Sequence, residues 1–146
     1  MSKYMSIDDF FSTAYKIADT LLDVTIGNID NASEMEREVL ATFYFGMLNA
    51  FGIESLNLDI NTAEKPAPAI IAGANHCALV DKFKYDDVVA KAFTCALIKY
   101  TDRKVGSTYN AIIHRGIEGY FMWKEKRYDQ LTKEFKFMMD LIKEYS

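Results

Sequence analysis

Catalysis or metal binding in this chain would have to rest on histidine, cysteine and carboxylate side chains, and these are sparse. His76 and His114 are the only histidines, and Cys77 and Cys95 the only cysteines, among 146 residues. Neither histidine stands in His-Glu-x-x-His or Glu-x-x-His, the helical spacings that gather ligands around zinc or a di-iron pair. His114 and Glu118 are one helical turn apart and could face one ion, but solvated helices commonly carry such pairs. His76 and Cys77 are neighbours, so on a helix their side chains diverge by about 100° and cannot act on one another as base and nucleophile. Cys77 could meet His114 only through the fold, and nothing in the sequence calls for it. Both thiols read as small buried hydrophobes kept reduced. No glycine-rich loop opens a helix to cradle phosphate. Glu34, Glu36 and Glu38 form the densest carboxylate cluster. Glu34 and Glu38 share a helix face, Glu36 points elsewhere, and all three complement the positive end of a helix dipole. No catalytic constellation emerges, so the expectation is a non-enzymatic protein without metal or cofactor.

One stretch, Tyr109-Asn110-Ala111-Ile112-Ile113-His114-Arg115-Gly116-Ile117-Glu118-Gly119-Tyr120-Phe121, carries more pattern than a helix needs. Asn110, His114 and Glu118 align at four-residue steps as a polar strip beside an aromatic one. Gly116 and Gly119 weaken the helix, which implies a gain from close backbone approach. Two readings stand: close packing against Gly46 with the strip merely solvated, or a recognition strip on a rigid element.

The elements that would position these residues are helices. The first is predicted from Ser6 to about Ile26, with Ile7, Phe10, Phe11, Ala14, Ile17, Ala18, Leu21 and Leu22 at helical spacing. Ser6 caps it, Asp8 and Asp9 suit its first turn, and Gly27 suits a left-handed end. Ser33-Glu34-Met35-Glu36 is a capping box that opens the second helix. Its Phe43–Leu48 stretch is apolar almost throughout, which predicts burial on more than one side, and Gly52 is the expected stop. Gly46 costs about 1 kcal/mol of helix propensity, consistent with a close crossing.

In residues 53–65, Leu56, Leu58 and Ile60 alternate with Asn57, Asp59 and Asn61. That spacing suits an extended crossover whose leucines plug the core, or an unpaired edge open to β-augmentation. A third helix begins at Lys65-Pro66-Ala67-Pro68 with a stripe of Ile70, Ala74, Cys77 and Val80. The fourth starts near Asp86 and Asp87 and turns Val89, Ala92, Phe93, Ala96, Leu97 and Tyr100 to one face. Ser107 caps the fifth, which bears Tyr109, Ile112, Ile113, Gly116, Tyr120 and Trp123. A sixth from near Asp129 carries Leu131, Phe135, Met138, Met139, Ile142 and Tyr145. The fold class is therefore all-α, a compact bundle of about six helices with one extended crossover after the second. Residues 1–146 are expected to form one all-helical domain.

Composition narrows the partners. A net charge of -4 argues against broad binding to nucleic acid or an anionic membrane and is compatible with a basic protein partner. No apolar run approaches the roughly 20 residues that span a bilayer. The start, Met1-Ser2-Lys3-Tyr4 with Asp8 and Asp9 close behind, does not read as a secretion signal, so the expected location is the cytoplasm. Nine tyrosines and ten phenylalanines supply a ring-rich core or, in part, a recognition surface.

Phe43-Tyr44-Phe45-Gly46-Met47-Leu48-Asn49-Ala50, followed by Asn110-Ala111-Ile112-Ile113-His114-Arg115-Gly116-Ile117-Glu118-Gly119-Tyr120, resembles immunity protein family forty-eight of the bacterial polymorphic-toxin systems. The resemblance implies a small, all-helical cytosolic protein encoded beside a toxin, which it binds and neutralises. It implies no catalytic residues. An acidic inhibitor facing a basic toxin would also gain association rate by electrostatic steering. The partner-binding candidates are accordingly Asp81, Asp86 and Asp87 near one helix junction, with Asn110, His114 and Glu118 on the polar strip. The alternative is a helical adaptor or regulator that forms a homodimer through its aromatic strips.

Overall fold

A computed structural model describes residues 5–56, 67–101 and 107–145. Among them are six α-helices, one 3-10 turn and no strand: α1 Ile7–Thr25, the 3-10 turn Ile29–Asn31, α2 Glu34–Ser55, α3 Ala67–Asp81, α4 Asp87–Thr101, α5 Thr108–Lys124 and α6 Tyr128–Tyr145. Local chemistry sets the starts. Ser6 Oγ accepts the Asp9 amide at the head of α1, and Ser107 Oγ accepts the Asn110 amide at the head of α5. At α2 the capping box is complete: the Glu36 amide donates to Ser33 Oγ at 3.1 Å and the Ser33 amide to Glu36 Oε1 at 2.9 Å. Gly27 follows α1 with φ 76°, the left-handed geometry that favours glycine.

Helix α2 is the axis of the molecule. Every residue from Val39 to Leu48 is buried, because α1, α3, α5 and α6 all pack on it. A helix apolar around its circumference needs such an enclosure. Tyr44 is fully buried, and its hydroxyl donates to the Ala14 carbonyl of α1 at 2.7 Å, which removes the cost of an unpaired phenol. Phe10 of α1 stacks on Phe51 of α2 with centroids 4.7 Å apart. The most extensive contact in the molecule is α2 on α5, and glycine permits it. A Cβ on Gly46 would enter the Ile113 carbonyl oxygen and lie 2.9 Å from Gly116 Cα; one on Gly116 would enter the Phe43 carbonyl oxygen. A Cβ on Gly119 would strike the Phe43 ring. The two glycine-bearing segments therefore meet backbone to backbone.

Several expectations change. Gly52 does not end α2: the helix runs to Ser55, and Gly52 lies where the Ile71 side chain presses on it. Residues 53–55 are thus helical, Leu56 is the C-cap, and the alternating segment from residue 57 onward lies outside the described residues. In α3 the buried stripe is Ile71, Ala74, Asn75, Ala78 and Leu79, with Ile70, Cys77 and Val80 only half-buried. Apolar residues surround α3, so periodicity gave its phase no anchor. The phase is marked instead by Asn75, whose Nδ2 donates to Thr94 Oγ1 of α4 at 2.9 Å inside the interface. Helix α4 turns Ala90, Thr94 and Leu97 inward, while Val89 and Ala92, expected in the core, are exposed. Cys95 is exposed and Cys77 half-buried, so neither thiol is the buried hydrophobe expected. Helix α6 buries Leu131, Phe135, Met138 and Met139 as its spacing predicts.

Candidate functional site

The residues singled out from sequence fall in two places. At the corner between α3 and α4, Asp86 accepts the amides of Val88 and Val89 and so caps α4. Asp87 pairs with His76 Nε2 at 2.9 Å, and Asp81 accepts the Tyr15 hydroxyl. Burial, with the Asp81 hydrogen bond second, raises the Tyr15 pKa. The Cys77 thiol nearby is also pushed up, by burial first and then by Asp81 and Asp87. On α5, Asn110 Nδ2 donates to the Tyr100 carbonyl at 2.8 Å, which ties the head of α5 to the end of α4. His114 and Glu118 are exposed further along α5. Asn110 therefore joins two elements, and the other two residues occupy open surface. Among the described residues no three His, Cys, Asp or Glu side chains gather as a metal ion would need.

A more developed surface lies between these two places, where α4 meets the first turns of α2 and α5. Helix α4 carries more apolar residues than its packing uses. Val88 is 73% exposed, Val89 48% and Ile98 39%, and Ala92 and Cys95 are exposed on the same helix. Beside it run two grooves that share Glu38 and Tyr109. The smaller, about 250 Å³, is walled by Tyr85, Val89, Phe93, Ala96 and Tyr100. The larger, about 490 Å³, is lined by Glu34, Met35, Val39, Thr42, Ile112 and Ile142 among others. Tyr109 stands between them as a post: its hydroxyl donates to Glu38, and its ring stacks on Tyr100 with centroids 4.8 Å apart. Tyr85 meets Phe93 edge-on at 5.6 Å, and the Arg37 guanidinium sits 4.2 Å from the Tyr85 centroid.

These phenols are held neutral. The hydrogen bond to Glu38, followed by burial, pushes the Tyr109 pKa up to about 12. Burial does the same for Tyr85, to about 12, with the Arg37 charge opposing it. The surface thus offers neutral hydroxyls, ring faces, exposed aliphatics and carboxylates. Such a mixture suits protein recognition, in which rigid aromatics supply area at low entropic cost. A third, more open hollow of about 590 Å³ at the end of α1, lined by Asp19, Asp23, Asn28 and Tyr128 among others, has no comparable aromatic wall.

Sequence reasoning missed this site in an instructive way. The spacing groups Val89, Ala92, Phe93, Ala96, Leu97 and Tyr100 on one face, but Leu97 is buried in the core, Ala92 is exposed, and Val89, Phe93, Ala96 and Tyr100 wall the groove. Glu34 and Glu38 were placed together on α2 and explained by the helix dipole alone. The legible signal was the coincidence: paired carboxylates on one helix and an aromatic stripe on another, with Tyr109 at the head of a third.

The described helices present a surface of rings and carboxylates, the mixture that protein-recognition surfaces use. The sequence profile of immunity protein 48 matches residues 10–143, nearly the whole chain, and the chain belongs to that family. Immunity proteins are typically non-catalytic. Comparison with curated proteins and with solved structures found no match.

Proposed function

We propose that this protein binds a cognate bacterial toxin and neutralises it by occupying the toxin surface with the outer face of α4 and the grooves beside Tyr109. Membership of an immunity protein family supports the role. The observation that carries the choice of surface is the set of exposed apolar residues on α4, with Val88, Ala92 and Cys95 on one side among Lys91 and Lys99, and Val89 turned to the groove lined by tyrosines and Glu38. A stable complex of this kind buries about 1,600 Å² over both partners. Asp86 and Asp87 at the start of α4 and Asn110 at its far end would extend the contact, with Asp81 behind the first and His114 and Glu118 beyond the last. The protein would act in the cytoplasm of the cell that makes the toxin.

Co-expression with the neighbouring gene product tests the role. Neutralisation of the toxin with formation of a stable complex is the expected result, and a toxin that stays fully active beside this protein removes the proposal. The same α4 face is what a homodimer would use. Light scattering distinguishes the two: a monomer that dimerises only with the toxin is expected, and a stable homodimer that buries α4 would replace the toxin reading.

A further inference from the structure

The smaller groove beside Tyr109 is walled by the rings of Tyr85, Phe93, Tyr100 and Tyr109, whereas the larger sets the Tyr109 ring among aliphatic side chains and two carboxylates. Glu34 and Glu38 charge the larger, Glu38 alone the smaller, and no lysine, arginine or histidine lines either one among the described residues. Ring faces attract cations, and an anionic lining with aromatic walls selects a cation strongly when the site is partly dry. A guanidinium fits such a lining better than an ammonium, because a planar fork can stack on a ring and pair with a carboxylate together. The molecule already shows the first half of this geometry in Arg37, which lies over Tyr85 and donates to the Lys84 carbonyl at 3.1 Å. Glu38 accepts the Tyr109 hydroxyl, and a carboxylate with two oxygens keeps capacity for further donors.

We infer that these grooves seat an arginine side chain from a basic segment of the partner protein, its guanidinium stacked against Tyr109 and paired with Glu38. This rests on the reading above that a protein docks on this face, and it names what that protein must present. The partner's contact segment is then cationic, which agrees with the chain's own net charge of -4.

The test titrates the full chain at low salt with a capped Gly-Arg-Gly peptide, followed by NMR, beside counterparts carrying citrulline or lysine in the central position. Saturable shifts confined to Glu34, Glu38, Tyr85, Tyr100 and Tyr109 are expected with arginine. Citrulline, which keeps the shape and loses the charge, is expected to bind about tenfold more weakly, with lysine in between. Glu38→Gln still offers an acceptor to Tyr109, so the fold is retained, and it is expected to weaken the arginine response about tenfold. Equal responses to arginine and citrulline or lysine, shifts centred elsewhere, or a Glu38→Gln chain that titrates like the parent would each overturn the inference. A chain that neutralises its toxin yet ignores the peptide refutes the arginine site alone. One that binds the peptide here but leaves the toxin active refutes the role alone.

Discussion

The crossing of α2 with α5 and the outer face of α4 are made from similar residues and end in opposite states. At the crossing, Phe43, Met47, Ile112 and Ile113 are all buried, and Gly46 and Gly116 bring the two backbones together. On α4, only Ala90, Thr94 and Leu97 are buried, and Val88, Val89 and Ile98 stay in contact with water. Apolar content alone does not decide burial. What differs is whether a neighbour with a complementary surface exists in the same chain. The crossing has one, down to the missing Cβ atoms, while α4 leaves Val88, Val89, Ala92 and Ile98 exposed alongside Lys91 and Lys99. The first arrangement is how the fold is held, and the second is what remains available for a partner.

The sharpest way to break this contrast is to fill the crossing. Gly46→Ala or Gly116→Ala forces a methyl group into a facing carbonyl oxygen, and the helices can relieve it only by separating. A loss of about 3 kcal/mol is expected, outweighing the gain of up to about 1 kcal/mol in helix propensity. Urea denaturation followed by circular dichroism reads it. Gly73→Ala is the control, since its Cβ would meet Phe11 Cζ at 3.5 Å, an ordinary contact, and a neutral or slightly stabilising effect is expected. Next in size, Tyr44→Phe removes the buried hydroxyl bond to the Ala14 carbonyl and should cost about 1 kcal/mol in the same assay.

How far these two regions could be read from sequence follows from their periodicity. Helices α1 and α6 set most of their apolar residues in a single stripe. Phe10, Ala14, Ile17, Ala18, Leu21 and Leu22 of α1 and Leu131, Phe135, Met138 and Met139 of α6 are buried as spacing predicts, while Ile7 is exposed and Phe11 and Ile142 are half-buried. The Gly46 and Gly116 crossing was legible because glycine in a helix interior demands a reason. The phases of α3 and α4 were not. Ala, Ile, Gly, Cys, Leu and Val encircle α3, and α4 has apolar residues on more than one side, so several rotations look equally favourable. The actual rotation brings Asn75 and Thr94 into the interface, a polar pair outside both predicted stripes. The candidate site was hidden by the same ambiguity, because Val89, Phe93, Ala96 and Tyr100 look like core residues until the neighbouring helix is known.

The smaller effects concern the surface. Burial, and for Tyr109 first the Glu38 hydrogen bond, raises the pKa values of Tyr85, Tyr109 and Tyr120 from the ordinary 10.0 to about 12. A raised folded value means that the native state holds its protons more tightly than the unfolded chain. Their contribution is therefore complete below pH 10 and is lost as pH rises towards 12. Unfolding midpoints measured across that window should fall with pH, and Tyr109→Phe should flatten the slope. At the opposite end of the scale, Val88→Asp and Ile98→Asp on α4 should change stability by no more than about 0.5 kcal/mol, since neither side chain is packed against the core. A large loss of stability in either would mean that α4 is covered in solution.

The most direct measurement is toxin neutralisation by those two α4 variants, with complex affinity read in parallel by calorimetry against the neighbouring gene product. If the α4 face is the binding surface, each folds as the parent does yet binds the toxin about tenfold or more weakly and protects poorly. Variants that are folded and protect as fully as the parent would show that the toxin is held elsewhere on the molecule.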